Sequence, residues 1–304
     1  MESNPIIMRK LIPLFLIIVL SSCNQTETGT TYTTGPQKGS LIIVGGNLTD
    51  PKIYQKFLDL SGGIDSPIVI VVTASEDELL AKPDFYSTIK KPFETIGFKY
   101  ITILHTRNPE IANTDSFITP IKQAKGLWFT GGRQWRLVDA YANTKTFEEF
   151  FKLLDRGGVI GGSSAGATIQ GSFLVRGDTK TNTILIGDHQ EGFGFVKNIA
   201  IDQHLLALNR QFDIFEILDK HPNLLGIGLD ENTAIVVTGD EFEVIGQHYV
   251  AIYDGTFFSE IRDKADWEKR RYEQRILPKN SREFYLLKAG ERYNMRERKV
   301  IVVE

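Results

Sequence analysis

The segment at residues 161–167, Gly-Gly-Ser-Ser-Ala-Gly-Ala, is the part of this chain best suited to chemistry. It follows the apolar run Gly158-Val159-Ile160 and precedes residues that can form a helix. A strand, a Gly-x-Ser-x-Gly turn and a helix are typical of a nucleophile elbow, which would expose the hydroxyl of Ser164. The same pattern also occurs in plain tight turns and phosphate cradles. No Gly-Lys-Ser/Thr follows, which disfavours a nucleotide-binding P-loop.

A nucleophilic serine needs a general base, and histidine is the usual one. His204 is the favoured candidate because it follows an apolar run in Ile201-Asp202-Gln203-His204, which would place it at the same sheet edge as Ser164. His105 also ends an apolar run and is its main competitor. The remaining histidines fall in predicted loops or in a later strand region: His189, His221 and His248.

A neutral imidazole must be held in one tautomer, normally by a carboxylate. Glu231 ends another apolar run, residues 225–229, and is a candidate for this task, although it could equally be an acidic turn residue. Asp230 should point the other way, since side chains alternate along a strand. His204 has no histidine or cysteine partner at ligand spacing, so no metal site is predicted, and no cofactor is expected.

The elements that must position these residues follow a β-α-β-α pattern. The apolar runs are continuous, as expected for strands buried on both faces of a parallel sheet. We therefore predict an α/β fold with a mostly parallel, doubly wound sheet and helices on both faces. Glycine pairs at 45–46, 131–132 and 161–162 fall where strands end, which is the edge where such sheets bind ligands.

Beyond residue 198 the pattern changes to shorter strands. Residues 233–238, 241–245 and 249–253 predict a C-terminal antiparallel extension in the form of a three-strand meander. Residues 205–213, directly after His204, are predicted to form a helix. The whole of residues 40–304 is predicted to be one domain.

The N-terminal residues predict export rather than a folded element. Residues 1–22 contain Arg9-Lys10 and an apolar run too short to span a bilayer, as in a signal peptide, whether the chain starts at Met1 or Met8. Leu20-Ser21-Ser22-Cys23 resembles the lipobox of bacterial lipoproteins, which implies a lipid on Cys23 and a protein anchored to a bacterial membrane on its periplasmic or cell-surface side. Residues 23–39 predict a flexible tether.

Composition excludes some partners. The chain has 304 residues, and Lys+Arg 35 nearly balances Asp+Glu 38, so no basic excess points to nucleic acid. Cys23 is the only cysteine, so the mature domain has neither a disulfide nor thiol chemistry. The oligomeric state stays open, with a homodimer as one possibility.

Four segments occur in an order that resembles the cyanophycinase group of serine peptidases, relatives of the aspartyl dipeptidases with a class I glutamine amidotransferase-like fold. They span most of the mature chain: Phe-Thr-Gly-Gly-Arg-Gln at 129–134, residues 161–167, Asp-Gln-His at 202–204 and Gly-Ile-Gly-Leu-Asp-Glu-Asn-Thr-Ala at 226–234. The resemblance implies hydrolysis of aspartyl or β-aspartyl peptides through an acyl-enzyme. It makes Ser164 the nucleophile and His204 the base. The resemblance also implies two further groups of site residues. The oxyanion donors are Ala165 and either Gly131 or Gly132, and the pocket residues are Gln134, Asp202, Gln203, Arg210 and Glu231.

The chain departs from the family pattern after the Asp-Gln-His segment. Arg210 remains, but Leu208 and Asp213 stand where the resemblance implies arginines. A third catalytic carboxylate proposed for the group would fall near Asn182, which leaves Asn182 and Glu231 as alternatives for that role. These departures keep two other functions open, a non-catalytic peptide-binding lipoprotein and an esterase or amidase using the same elbow.

Overall fold

The computed structural model describes Met1 and residues 33–257, 275–276 and 282–302. The predicted signal peptide apart from Met1, the predicted lipidation site Cys23 and the predicted tether up to residue 32 lie outside the described residues. Thr33–Glu304 forms one unit by itself. Within the described ranges, no helix has the length and apolarity needed to cross a membrane.

The strands and helices are numbered in chain order. The strands are β1 (Ser40–Val44), β2 (Ile68–Val71), β3 (Ile101–Leu104), β4 (Gly126–Phe129), β5 (Val159–Ser163), β6 (Gly171–Phe173), β7 (Val196–Gln203), β8 (Leu225–Leu229), β9 (Thr233–Thr238), β10 (Glu241–Gly246), β11 (Tyr249–Tyr253), β12 (Thr256–Phe257), β13 (Arg275–Ile276), β14 (Tyr285–Lys288), β15 (Arg292–Asn294) and β16 (Lys299–Ile301). The helices are α1 (Pro51–Ser61), α2 (Asp77–Leu80), α3 (Phe85–Thr95), α4 (Pro109–Ala112), α5 (Asp115–Gln123), α6 (Trp135–Tyr141), α7 (Lys145–Asp155), α8 (Ala165–Thr168) and α9 (Phe215–Lys220).

The larger sheet combines a parallel half with an antiparallel extension. Its strand order is β16-β15-β10-β9-β1-β5-β4-β2-β3. The strands from β1 to β3 in that order pair in parallel, whereas β9, β10, β15 and β16 pair antiparallel. The predicted fold class, a parallel core sheet with helices on both faces and an antiparallel extension, is confirmed.

A second sheet carries the other half of the site, with the order β14-β11-β8-β7-β6. Strands β6, β7 and β8 are parallel, and β11 pairs antiparallel with both β8 and β14. The predicted three-strand meander is therefore wrong in its last strand. Although β9 and β10 pair as expected, β11 crosses to the second sheet, where its apolar residues fill the space beside β8.

The core lies on both faces of the larger sheet, and alternate residues of each strand serve different layers. Ile42 and Val44 of β1 face α1 and α3, whereas Leu41 and Ile43 face α5–α7 and the second sheet. Helix α1 begins cleanly because the side chain of Asp50 accepts the N–H of Lys52. The two layers hold the strand ends, and therefore the site, in place.

The segment after His204 is not the predicted helix. Residues 205–213 form turns, and helix α9 starts later. The carboxylate of Asp230 accepts the N–H groups of Leu206 and Ala207, each at 3.0 Å. Asn209 adopts a positive φ of 55°, which interrupts helical geometry. The N–H of Arg210 donates to the carbonyl of Leu205 at 2.7 Å, which ends the helical turn after Asn209.

Candidate active site

Ser164 occupies a strained turn between β5 and α8. Its backbone has φ 58° and ψ −113°, a conformation that costs a non-glycine residue on the order of 1–3 kcal/mol. A Cβ at Gly162 would overlap the carbonyl oxygen of Gly166, and one at Gly166 would overlap that of Phe129. These contacts explain why both flanking positions are glycine. The turn leaves the Ser164 side chain partly exposed at the end of the strand.

His204 follows β7 directly and brings its ring to the elbow. Its Nε2 lies 3.0 Å from Ser164 Oγ. The backbone of His204 has a φ of 53°, and its N–H donates to the carbonyl of Gly45 at 2.8 Å. The ring lies directly over Gly46, where a Cβ would overlap the imidazole. The loop after β1 therefore supports the imidazole, and only glycine fits beneath it.

Glu231 orients the imidazole. Its Oε1 lies 2.7 Å from His204 Nδ1, and its Oε2 accepts a hydrogen bond from Asn47 Nδ2 at 2.9 Å. The hydrogen bonds from Asn47 and His204 hold the pKa of the Glu231 carboxyl below its usual value. A carboxylate at Nδ1 keeps the proton on that nitrogen and leaves Nε2 free to accept the serine proton. The Ser164, His204 and Glu231 side chains thus form a connected triad.

The alternative third member near Asn182 is placed elsewhere. Asn182 is exposed, and its backbone carbonyl accepts a hydrogen bond from Arg176 Nη1 at 3.1 Å. Because Glu231 already contacts Nδ1 of His204, the orienting carboxylate lies at Glu231 in this structure.

Two of the three predicted oxyanion donors, Ala165 and Gly131, lie beside Ser164. Ala165 follows the serine at the start of α8. Gly131 comes so near that a Cβ there would lie 3.4 Å from Ser164 Cβ. Gly132, the other predicted donor, instead packs against the backbone of Ala74. Of the two glycines, Gly131 is therefore the one that faces Ser164.

Six residues linked by hydrogen bonds lie beside His204, and we call them the wall: Gln134, Arg176, Asp202, Gln203, Arg210 and Asp213. A buried ion pair holds it together. Arg176 Nε and Nη2 donate to the two carboxylate oxygens of Asp202 at 2.9 and 3.0 Å. The two side chains are 3% and 0% exposed, so Asp202 lies inside the wall rather than on its surface. Asp213 accepts from Arg176 Nη2 at 2.6 Å. Burial alone would lower the pKa of Arg176, but these carboxylates outweigh it and raise that pKa.

The other predicted pocket residues also form part of this wall. Gln134 is buried, and its amide donates to the carbonyls of Val175 and Arg176 at 2.6 and 2.9 Å. Gln203, next to the candidate base, accepts a hydrogen bond from Arg210 Nη1 at 3.2 Å. Burial, and then the positive charge of Arg176, lower the pKa of Arg210. Arg210 is therefore a partly exposed cation in contact with Gln203, the residue that precedes His204.

The two family departures have different surroundings. Leu208 is exposed on the turn after His204. Asp213 is paired with Arg176, so the reversed charge at this position is compensated inside the wall. The competing base His105 lies at the end of β3, where its Nδ1 is 3.3 Å from Thr73 Oγ1 rather than near the elbow.

Two residues of the site carried no sequence prediction of a role, Asn47 and Arg176. Asn47 follows the glycine pair at 45–46, so its position after a strand end was a usable signal. Arg176 lies in an irregular segment between β6 and β7, and its pairing with Asp202 depends on tertiary structure alone. In the described part of the chain, no group of three histidine, cysteine or carboxylate side chains could hold a metal ion.

A serine on a strained elbow, with an imidazole and a carboxylate in line behind it, defines an α/β serine hydrolase. Comparison with known proteins places the chain more closely. The model of the family described as "Peptidase family S51" matches residues 41–245. The chain therefore belongs to peptidase family S51, and the predicted resemblance to cyanophycinase-like serine peptidases is confirmed.

Individual relatives agree with this family. A cyanophycinase of Geminocystis herdmanii is 31% identical over 265 residues, covering 84% of this chain and 94% of the relative. A cyanophycinase of Trichormus variabilis is 25% identical over 272 residues, covering 87% and 88%. Among solved structures, a peptidase from an acI-B1 actinobacterium superposes with a TM-score of 0.61 at 23% identity, covering 86% of this chain and 98% of that one. That likeness supports the fold.

Proposed function

We propose that this protein is a serine-type exopeptidase or isopeptidase that hydrolyses aspartyl or β-aspartyl peptides through an acyl-enzyme. The observation that carries the proposal is the continuous contact from Ser164 Oγ through His204 to Glu231, at 3.0 and 2.7 Å. Membership of peptidase family S51 supports peptide hydrolysis. The relatives that are cyanophycinases support an acyl group of the aspartyl type.

The proposed reaction has two halves. Ser164 Oγ attacks the scissile carbonyl while His204 Nε2 takes its proton, and the N–H groups of Ala165 and Gly131 stabilise the resulting oxyanion. The C–N bond then breaks, and His204 gives its proton to the leaving amine. Water, deprotonated by His204, attacks the acyl-serine ester in the second half, which releases the acid and restores the Ser164 hydroxyl.

The charges of the wall favour an acidic acyl group. Arg210 is partly exposed beside Gln203, and its guanidinium matches the fork geometry of a carboxylate. The carboxylates of the same wall, Asp202 and Asp213, are both engaged by Arg176. A substrate carboxylate at the wall can therefore pair with Arg210, and the negative charges of Asp202 and Asp213 are already neutralised by Arg176.

A substrate panel tests this function. The full chain would be given α-aspartyl dipeptides, β-aspartyl dipeptides including β-aspartyl-arginine, and simple esters, with Ser164→Ala and Ser116→Ala compared. Ser116 is an exposed serine on α5 whose hydroxyl lies 3.2 Å from that of Thr114, and it is the matched control. We expect turnover of aspartyl peptides and labelling by a serine-reactive phosphonate in the wild type and in Ser116→Ala, with both lost in Ser164→Ala.

Other outcomes identify the alternatives. Binding of aspartyl peptides with neither turnover nor labelling would indicate a non-catalytic peptide-binding protein. Cleavage of esters without any aspartyl peptide would indicate an esterase. Hydrolysis that persists in Ser164→Ala would show that the elbow is not the nucleophile.

We also propose that the enzyme is exported and anchored to a bacterial membrane by a lipid on Cys23. The support is the short apolar run followed by Leu-Ser-Ser-Cys at residues 20–23. The substitution Cys23→Ser should move the protein from the membrane fraction to the soluble fraction. Retention of Cys23→Ser in membranes would contradict lipid anchoring.

A further inference from the structure

A cavity opens beside the elbow on the face of the larger sheet opposite the second sheet. Its volume is about 180 Å³, and its inner end is formed by Gly131 and Ser163, the neighbours of the nucleophile. Its walls include Tyr54 of α1, Ile89 of α3 and Trp128 of β4. Tyr54 stacks on Trp128 with ring centroids 5.9 Å apart, so an aromatic surface lines one wall.

This cavity continues outward as a groove between α1 and α3. A second, larger cavity of about 350 Å³ shares four residues with it: Leu48, Tyr54, Thr88 and Pro92. The lining that the second cavity adds consists of Thr49, Pro51, Lys91, Thr95 and Ile96. We call the two cavities together the α1/α3 groove. It leads from the side of Ser164 to the protein surface.

The charge of the α1/α3 groove differs from that of the wall with Arg210. Among the described residues that line it there is no aspartate or glutamate, and Lys91 at the outer end is the one ionisable cation. A guanidinium entering the groove would therefore lose water without gaining a counter-charge, which is costly. An apolar side chain would gain by leaving water, and a free C-terminal carboxylate would meet Lys91.

The groove adjoins the loop that supports the general base, since Leu48 lines both of its cavities. Leu48 belongs to the loop that begins with Gly46, directly beneath the His204 ring, and continues through Asn47 to the Glu231 carboxylate. The leaving amine takes its proton from the imidazole and so departs on the side of His204. The cavity beside the elbow has no charged residue in its described lining to meet the carboxylate of an aspartyl acyl group, whereas Arg210 lies against Gln203, which leaves the groove for the residue across the scissile bond.

We propose that the α1/α3 groove is the leaving-group subsite, and that it selects aspartyl peptides whose second residue is apolar or aromatic, such as leucine or phenylalanine. This inference rests on the proposed function, since it takes the acyl residue to be aspartyl. A cavity of about 150 Å³ admits a benzene ring, so the inner cavity is large enough for either side chain.

The test first compares aspartyl dipeptides that differ in their second residue, and then blocks the groove with a bulky side chain. The full chain would be assayed with aspartyl-leucine, aspartyl-phenylalanine, aspartyl-arginine and aspartyl-glycine in the linkage that it cleaves. We expect kcat/KM for the first two to exceed that for the last two by about 10- to 100-fold, the usual discrimination of an apolar pocket. Thr88→Trp, at an exposed position lining both cavities, should bring the leucine-to-glycine ratio close to one.

Ser87→Trp is the matched control. Ser87 is the preceding residue of α3, is exposed and lines neither cavity, so the same bulky side chain should leave the ratio at its wild-type value. Equal or faster cleavage of aspartyl-arginine or aspartyl-glycine would overturn the subsite and leave the proposed function standing. A leucine preference that survives in Thr88→Trp would also overturn it. Failure to cleave any aspartyl peptide would remove both proposals together.

Discussion

The two sheets build the site in different ways. The larger sheet supplies Ser164 through backbone geometry, with a strained φ and two glycines that no larger residue can replace. The second sheet supplies His204 and Glu231 through side chains that reach across from the ends of β7 and β8. These two strands are adjacent and in register, with Gln203 opposite Leu229, so the residues that follow them emerge side by side.

This difference indicates where each half is vulnerable. The elbow depends on the absence of atoms, because any Cβ at Gly162 or Gly166 meets a carbonyl oxygen. The second-sheet half depends on hydrogen bonds and charges, including Asn47 on Glu231 and Arg176 on Asp202. Substitutions in the second-sheet half can therefore weaken the site by degrees. At Gly162 and Gly166, in contrast, any side chain causes a steric clash.

The largest expected effect is the loss of the base. His204→Ala should lower kcat/KM for the best aspartyl peptide by about 10⁴- to 10⁶-fold, because the serine hydroxyl then lacks a proton acceptor. His105→Ala is the matched control, since His105 also ends a strand but contacts Thr73. Steady-state kinetics of the two variants would check this. Comparable losses in both would break the assignment of the base to the second sheet.

The next effect concerns the orienting carboxylate. Glu231→Gln should lower kcat by about 10³- to 10⁴-fold, since an amide cannot stabilise the imidazolium as a carboxylate does. Asn47→Ala should cost much less, about 10-fold, because Glu231 keeps its contact with His204. Measuring kcat of both variants with one substrate would rank the Glu231–His204 contact against the Asn47–Glu231 contact. A larger loss in Asn47→Ala than in Glu231→Gln would contradict it.

A third prediction separates support from chemistry. Asp202→Asn should lower the free energy of unfolding by about 3–5 kcal/mol, because it breaks a buried ion pair and leaves the Arg176 charge undercompensated. Asp213→Asn should cost no more than about 1 kcal/mol, since Asp213 is 39% exposed and water screens the pair. Denaturant unfolding would measure both. Equal losses in the free energy of unfolding would mean that burial does not make the Arg176–Asp202 pair more important for stability than the Arg176–Asp213 pair.

The smallest effect is a pH dependence outside the site. Burial lowers the pKa of His189, but its hydrogen bonds to Asp188 and Asp139 outweigh this and raise the pKa above its ordinary value of 6.5. The stabilisation by protonated His189 is therefore complete below pH 6.5 and is lost as pH rises through the raised pKa.

His189→Gln should accordingly destabilise the protein by no more than about 1 kcal/mol below pH 6.5, and the difference from wild type should shrink as pH rises through the raised pKa. Denaturant midpoints across this pH range would measure the difference. A gap that widens with rising pH would reverse the sign and exclude the pairing with Asp188 and Asp139.

Much of the fold could be predicted from local patterns. The continuous apolar runs of β1, β2 and β4 indicated buried parallel strands, and the spacing around Ser164 indicated the elbow. The strand-end positions of His204 and Glu231 were enough to suggest that they meet. The division into two sheets was not predictable in this way, because β11 looks like the third strand of a meander until its pairing with β8 is known.

The errors have separate physical causes. The helix expected at residues 205–213 stops after one turn because Asn209 adopts a positive φ and the N–H of Arg210 donates to the carbonyl of Leu205. Asp202 was expected to face substrate, and its burial against Arg176 follows from a contact between residues 26 positions apart. The second error depends on a partner distant in sequence, which local periodicity does not reveal.

The placement of the α1/α3 groove has a consequence for how such a protein can diversify. Part of its lining lies on α3, at positions such as Thr88 and Ile89, whereas the triad and its supports lie after β1, β5, β7 and β8. Mutations on one exposed helix can thus accumulate without disturbing the residues that break the bond. Substitutions in the α1/α3 groove could therefore change the substrate preference of a lineage, while selection on its catalytic residues stays unaltered.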